Sequence, residues 1–252
     1  MGPRTRLIWD DAFTAYNFGR EHPMAPVRLD LTTRLSRALG VLDHVEVVGA
    51  EVATDEELCS VHDPAYVEAV KVASADPDRA DPRRGLGTED DPAFAGMHEA
   101  SARIVGGTLS LARALHAGEI DHGVNYCGGM HHAMATHAAG FCIYNDAAVG
   151  IQYLLDQGVE RVAYVDIDVH HGDGVERIFW HDPRVLTVSI HETGRALFPG
   201  TGWPADIGGA KALGTAVNVA LPPTTNDGAW LRAIDAIVAP VVHAFAPQVL
   251  FT

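Results

Sequence analysis

At 252 residues and 47% hydrophobic content the chain can bury one sizeable core, and a single α/β domain spanning residues 1–252 is expected. A net charge of −15, with lysine only at Lys71 and Lys211, argues against direct contact with nucleic acid or an anionic membrane and suits cationic substrates. No stretch approaches about 18 uninterrupted apolar residues, the start MGPRTRLIWDD lacks a signal-type apolar core, and Cys59, Cys127 and Cys142 show no framework spacing; a soluble cytoplasmic protein is expected.

The first 95 or so residues are the least regular, and Ala73–Asp91, rich in Asp, Pro, Arg and Gly, predicts an exposed loop. From there strands and helices alternate. His98–Ala117 has Ile104, Leu109, Leu111 and Leu115 at helical spacing, and Gly123–Cys127 is a short strand running into Gly128-Gly129. Asp146–Gln157 reads as a helix capped by Asn145 and stopped by Gly158. Arg161–Val169 is a strand, Val175–Trp180 a short helix, and Val185–Ile190 and Ala216–Leu221 are strands. Gly228–Phe245 is a further helix, and Gln248–Phe251 begins a further strand. This alternation predicts a central parallel sheet with helices on both faces, and three polar clusters follow strands directly: Gly128–His132, Asp168–Asp173 and His191–Gly202. They are expected to converge in one crevice.

The most telling stretch is Tyr164–Gly174, YVDIDVHHGDG. On an extended strand Asp166, Asp168 and His170 would share one face, and three such side chains on a buried face are costly unless something binds them. Carboxylate and imidazole together suit a divalent metal such as zinc. His171 points the opposite way and is expected to be structural. Asp166 could instead hold a structural cation with loop carbonyls, or hydrogen-bond a histidine. In Gly128–Ala133 two adjacent histidines, His131 and His132, follow a double glycine; only on a loop can both serve one pocket, where they could act as general base and general acid. Asp166 and Asp173 are natural partners to fix their tautomers, although spacing does not say which serves which. Phe141 and Phe198, beside glycine- or proline-defined turns, could wall an apolar channel, and Cys142 reads as packing. The remaining histidines, His22, His62 and His98 among them, take a surface or structural reading.

These segments occur in a known order. GGMHHA (128–133), GFCIYNDAAVGI (140–151), YVDIDVHHGDGVERIFW (164–180), VLTVSIHETG (185–194) and LFPGTG (197–202) resemble the zinc-dependent histone deacetylase family of the arginase/deacetylase fold. GLGTEDDPAFAGMHEAS (85–101) is similar to its bacterial acetoin-utilisation branch, and EHPMAPVRL (21–29) and VHDPAYVEAV (61–70) also resemble family segments. The resemblance implies hydrolysis of an N-acetyl amide on acetylated protein lysine or an acetylated small amine such as a polyamine. It implies Asp168 and His170 as zinc ligands, and His131 and His132 as a dyad paired with Asp166 and Asp173 respectively. Asp90 would be a rim aspartate gripping substrate backbone, and Gly140, Phe141 and Phe198 the walls of an acyl-lysine tunnel. Asp166 and Ser189, with backbone of Asp168, His170 and Ile190, would hold a monovalent cation (K+ or Na+), and Phe179, Asp182 and Val185 match a second such site. The family's third zinc ligand and an oxyanion-binding tyrosine fall beyond Thr252, so the resemblance implies a domain lacking its C-terminal strands and helices, and a chain of little or no activity. Two rivals are a manganese ureohydrolase of the same fold and a non-catalytic remnant binding acetylated ligands.

Overall fold

Parallel strands and helices alternate along the chain as the hydrophobic pattern predicts. The computed structural model describes residues 2–252, and these divide into two units, one ending at Gln157 and one running from Gly158 to Thr252.

The first unit contains, in chain order, β1 (Thr5–Ile8), α1 (Val27–Ala38), β2 (Glu46–Val48), α2 (Asp55–Leu58), α3 (Pro64–Ala75), α4 (Met97–His116), β3 (His122–Asn125) and α5 (Asp146–Asp156). Its sheet is parallel, in the order β2-β1-β3. The hub is α4, whose Ile104, Val105, Leu109 and Leu111 are buried. A side chain at Gly106 would strike the Glu51 carbonyl oxygen at 1.9 Å, so this position lets the helix lie flush on the 50–53 segment. Ile8, Phe13, Leu58, Tyr66, Leu86, Met97, Ile143 and Tyr144 complete one core.

Ala73–Asp91 departs from the exposed loop that its composition predicts. Helix α3 runs on to Ala75, 3₁₀ turns occupy Pro77–Arg79 and Pro82–Arg84, and Ala73, Leu86 and Asp91 are buried. The Asp76 and Asp81 side chains accept from the Asp78 and Arg83 amides, so the turns close on themselves and leave Leu86 free to enter the core.

The second unit contains β4 (Val162–Asp166), α6 (Asp173–Phe179), β5 (Val185–Glu192), β6 (Ala216–Leu221), α7 (Asp227–Ala233), α8 (Ala239–Phe245) and β7 (Val249–Phe251). Its sheet is also parallel, in the order β6-β5-β4-β7, so the strand order reverses beside β4. Such a reversal is where an open α/β sheet leaves a crevice beyond its strand ends.

Helices α7 and α8 form one run joined by a π turn at Ile234–Val238. Pro240 at the start of α8 brings no N–H, and its ring cannot sit under the carbonyl four residues back; the wider turn accommodates it. Ile234, Val238, Val241, Val242 and Phe245 pack on Ala163, Val165, Leu186 and Val188 of the sheet. Among the described residues, Asp227–Phe245 is long and apolar enough to cross a membrane by length and composition. Counting uninterrupted apolar residues misses this run because Asp227, Arg232, Asp235 and His243 break it.

Candidate functional site

The expected strand Arg161–Val169 ends early, at Asp166. Asp168 and His170 therefore do not share a face of a pleated strand; side-chain hydrogen bonds to the backbone bring them together. Asp166 Oδ1 accepts from the Asp168 amide at 3.0 Å, and Asp168 Oδ1 accepts from the His170 amide at 2.8 Å. Two successive turns of this kind fold the strand end back on itself. They place His170 Nδ1 2.8 Å from Asp168 Oδ1, with side chains 36% and 51% exposed respectively. The two side chains that the period-two argument grouped thus do meet, but on turns rather than on a strand face.

Asp166 itself is buried and accepts a hydrogen bond from the Tyr164 hydroxyl at 2.8 Å. A Cβ at Gly172 would lie 2.1 Å from its Oδ2, so only glycine lets the chain pass there. Ser189 lies opposite Asp166 in the β4–β5 register. Asp173 opens α6, a favourable place for a carboxylate. Phe198 is 43% exposed, its ring centroid 6.4 Å from that of His170. Two of the three polar clusters, Asp168–Asp173 and His191–Gly202, therefore do meet within the second unit.

The third cluster belongs to the first unit. His131 and His132 are buried, their ring centroids 3.9 Å apart, which rules out a pair of solvated loop histidines. Gly129 takes a φ of 87°, the left-handed turn that allows neighbouring residues to face one way. The anchor of this loop was not legible as such: Asp146, fully buried, accepts from the Gly129 amide at 3.0 Å, the Met130 amide at 2.8 Å and the Thr108 hydroxyl. Burial pushes its carboxyl pKa up, while those three donors hold it down. Asn145 caps α5 through the Ala148 amide and also donates to the Ala133 carbonyl at 3.0 Å. An acidic residue directly after a helix cap, with a double glycine upstream to receive it, is the only signal of this role in the sequence.

In the same unit His22 lies between two of the residues expected at the rim and wall, Asp90 and Phe141. Asp90 is exposed; its carbonyl is 3.1 Å from His22 Nε2, and the His22 ring meets Phe141 edge-on at 4.5 Å. Gly140 and Phe141 both have positive φ, 54° and 69°. Next to Asp90, Asp91 is 1% exposed and its Oδ1 has no hydrogen-bond partner; burial, then repulsion from Asp90, pushes its pKa to about 7. Cys142 is buried, as its packing reading requires.

Among the described residues no group of three or more His, Cys, Asp and Glu side chains is arranged as a metal cage. The Asp168–His170 pair nonetheless fits a divalent cation: an oxygen and a nitrogen donor already converge, and the proton between them is what a metal would replace.

Fold and site together define an α/β protein whose parallel strands carry His- and Asp-bearing loops at their carboxyl ends. Residues 22–252 match the histone deacetylase domain, and the chain belongs to that family. It is 43% identical to the acetoin utilization protein AcuC of Bacillus subtilis (strain 168), over 98% of this chain and 64% of the relative. The AcuC protein of Staphylococcus xylosus is 38% identical over 99% of this chain and 66% of its own length. The crystal structure of an HDAC homolog from Aquifex aeolicus superposes with a TM-score of 0.88 at 30% identity, covering 98% of this chain and 67% of that one; an HDAC homolog complexed with SAHA superposes equally well. The chain thus spans somewhat under two thirds of the length of the curated relatives it matches.

Proposed function

We propose that this chain carries the metal-binding part of a zinc-dependent amidohydrolase that removes acetyl groups from acetyl-lysine in proteins or from related acetylated amines, releasing acetate. The observation that carries the reading is the meeting of Asp168 Oδ1 and His170 Nδ1 at 2.8 Å beyond β4. These two residues would hold the zinc. When bound, it would polarise the amide carbonyl and lower the pKa of a water molecule.

The remaining roles fall to the chain's own side chains. His131 and His132 take a proton from water and return it to the departing amine, with Asp166 and Asp173 as their partners. Asp90 grips the substrate backbone, and Gly140, Phe141 and Phe198 wall the passage for the acyl-lysine stem. Asp166 and Ser189 hold a monovalent cation. The net charge of −15 favours approach of a cationic peptide or polyamine. The surroundings proposed are cytoplasmic, without contact to nucleic acid or membrane.

Metal analysis and an acetate-release assay on acetyl-lysine peptide and on acetylspermidine test this. One zinc per chain, lost in Asp168→Ala and His170→Ala together with an acetate release that is weak in the wild type, is the expected result. Two manganese ions per chain would favour the ureohydrolase reading, and bound zinc without hydrolysis would leave a ligand-binding remnant.

A further inference from the structure

His170 meets Asp168 and is partly exposed, whereas its neighbour His171 is buried among other partners. His171 is 2% exposed, and both of its nitrogens are occupied: Nδ1 lies 2.8 Å from Thr201 Oγ1 and Nε2 lies 3.3 Å from Glu176 Oε2. Asn218 Nδ2 donates to the same Glu176 oxygen at 2.7 Å. An ionised Glu176 only accepts, so Nε2 carries the hydrogen and Nδ1 accepts from the Thr201 hydroxyl. The neighbouring imidazole repeats the arrangement. His191 packs on His171 with ring centroids 4.8 Å apart; its Nε2 donates to the Gly202 carbonyl at 2.9 Å, leaving Nδ1 to accept from Ser189 Oγ at 2.8 Å.

Thr201 and Gly202 end the segment that carries Phe198. A Cβ at Gly202 would come within 2.6 Å of both imidazoles, so the segment lies flat against the two rings. Its far end is tied by the Leu197 amide to the Thr193 carbonyl at 3.2 Å, and the Gly200 amide closes on the Leu197 carbonyl at 3.2 Å. Phe198 stands at the exposed crest between these ties.

We propose that His171, clamped between Glu176 and Thr201, is a positioning residue that fixes the Leu197–Gly202 turn and, through Phe198, sets which acyl chains the protein accepts. The acyl selectivity rests on the deacetylase reading; the clamp does not. Thr201→Val keeps the shape of the side chain but leaves the buried Nδ1 without its donor, whereas Thr201→Ser restores the hydroxyl.

Amide hydrogen exchange on the full chain is the test, with hydrolysis of acetyl- and hexanoyl-lysine peptides measured alongside. Thr201→Val should speed exchange across 197–203 by roughly tenfold, the cost of one lost buried hydrogen bond, with other segments unmoved and Thr201→Ser matching the wild type. The ratio of kcat/KM for hexanoyl over acetyl substrate should shift by about threefold or more in Thr201→Val alone. Unchanged exchange, or looser exchange with an unmoved ratio, overturns the proposal. Wild-type protein that hydrolyses neither peptide overturns the deacetylase reading, and exchange alone then decides the clamp. Imidazole nitrogen shifts give a check that needs no variant: His171 should carry its hydrogen on Nε2, and an Nδ1–H tautomer overturns the clamp.

Discussion

Two buried titratable residues of the first unit pull stability in opposite directions with pH. Asp91 has its pKa raised to about 7 from the ordinary 3.8. Its contribution is fully present below the unfolded value and is lost as pH rises through 7, because the unfolded chain ionises first. The loss amounts to about 4 kcal/mol across that window. Asp91→Asn should therefore gain little over wild type at pH 4 and several kcal/mol at pH 8 in urea unfolding; an equal difference at both pH values would contradict this. His62 behaves oppositely. Its Nδ1 faces the Met134 carbonyl at 3.1 Å and its Nε2 accepts from the Asn145 amide at 3.0 Å, an arrangement that only neutral imidazole can make. Burial lowers its pKa to about 4 from 6.5. Its contribution is present above 6.5 and lost as pH falls to 4, by about 3 kcal/mol. The two slopes nearly cancel in the wild type between pH 4 and 6.5, so the acid limb of His62 should emerge only in the Asp91→Asn background.

At the scale of elements, one helix start organises the histidine loop. Asn145 and Asp146 at the head of α5 hold Gly129, Met130 and Ala133 by four hydrogen bonds that the loop cannot replace internally. Asp146→Ala removes the acceptor for the Gly129 and Met130 amides and for the Thr108 hydroxyl, and should cost about 2–4 kcal/mol. Acetate release should fall with it even under conditions where circular dichroism stays native. Asn145→Ala loses a helix cap and a loop tie, and should cost about 1–2 kcal/mol. Strand and helix identities were legible here because each is long and periodic: α4, α5 and β6 fall within one residue of expectation at most boundaries. The end of β4 was not, because Ile167 and Val169 continue the apolar alternation while the aspartates quietly redirect the backbone. Period-two patterning describes side-chain polarity; it does not register a side chain that competes for backbone amides.

For the molecule as a whole, ligand binding should report directly on stability. A metal held by Asp168 and His170 in the folded state alone stabilises the chain by mass action, about 2.7 kcal/mol at a hundredfold excess over Kd. For a chain of this length that corresponds to a rise of roughly 5–10 °C in Tm. Zinc should produce such a rise in differential scanning calorimetry, a chelator should reverse it, and Asp168→Ala should abolish it. A wild-type Tm indifferent to zinc would remove the metal from the proposed function.

What the amino-acid sequence determined by itself was the alternation of parallel strands and helices and the polar loops at strand ends, from which Asp168, His170, His131 and His132 are singled out for the proposed site. These follow from local periodicity and from the cost of burying polar groups, both of which act along the chain. Only the tertiary structure decided that Asp146 anchors the histidine loop from 16 or 17 positions away, that Asp91 is buried beside an exposed Asp90, and that His171 reaches Thr201 thirty residues on. Each of these is a hydrogen-bonding or burial relation between segments distant in sequence. Such relations depend on which surfaces packing brings together, and local patterning does not encode them.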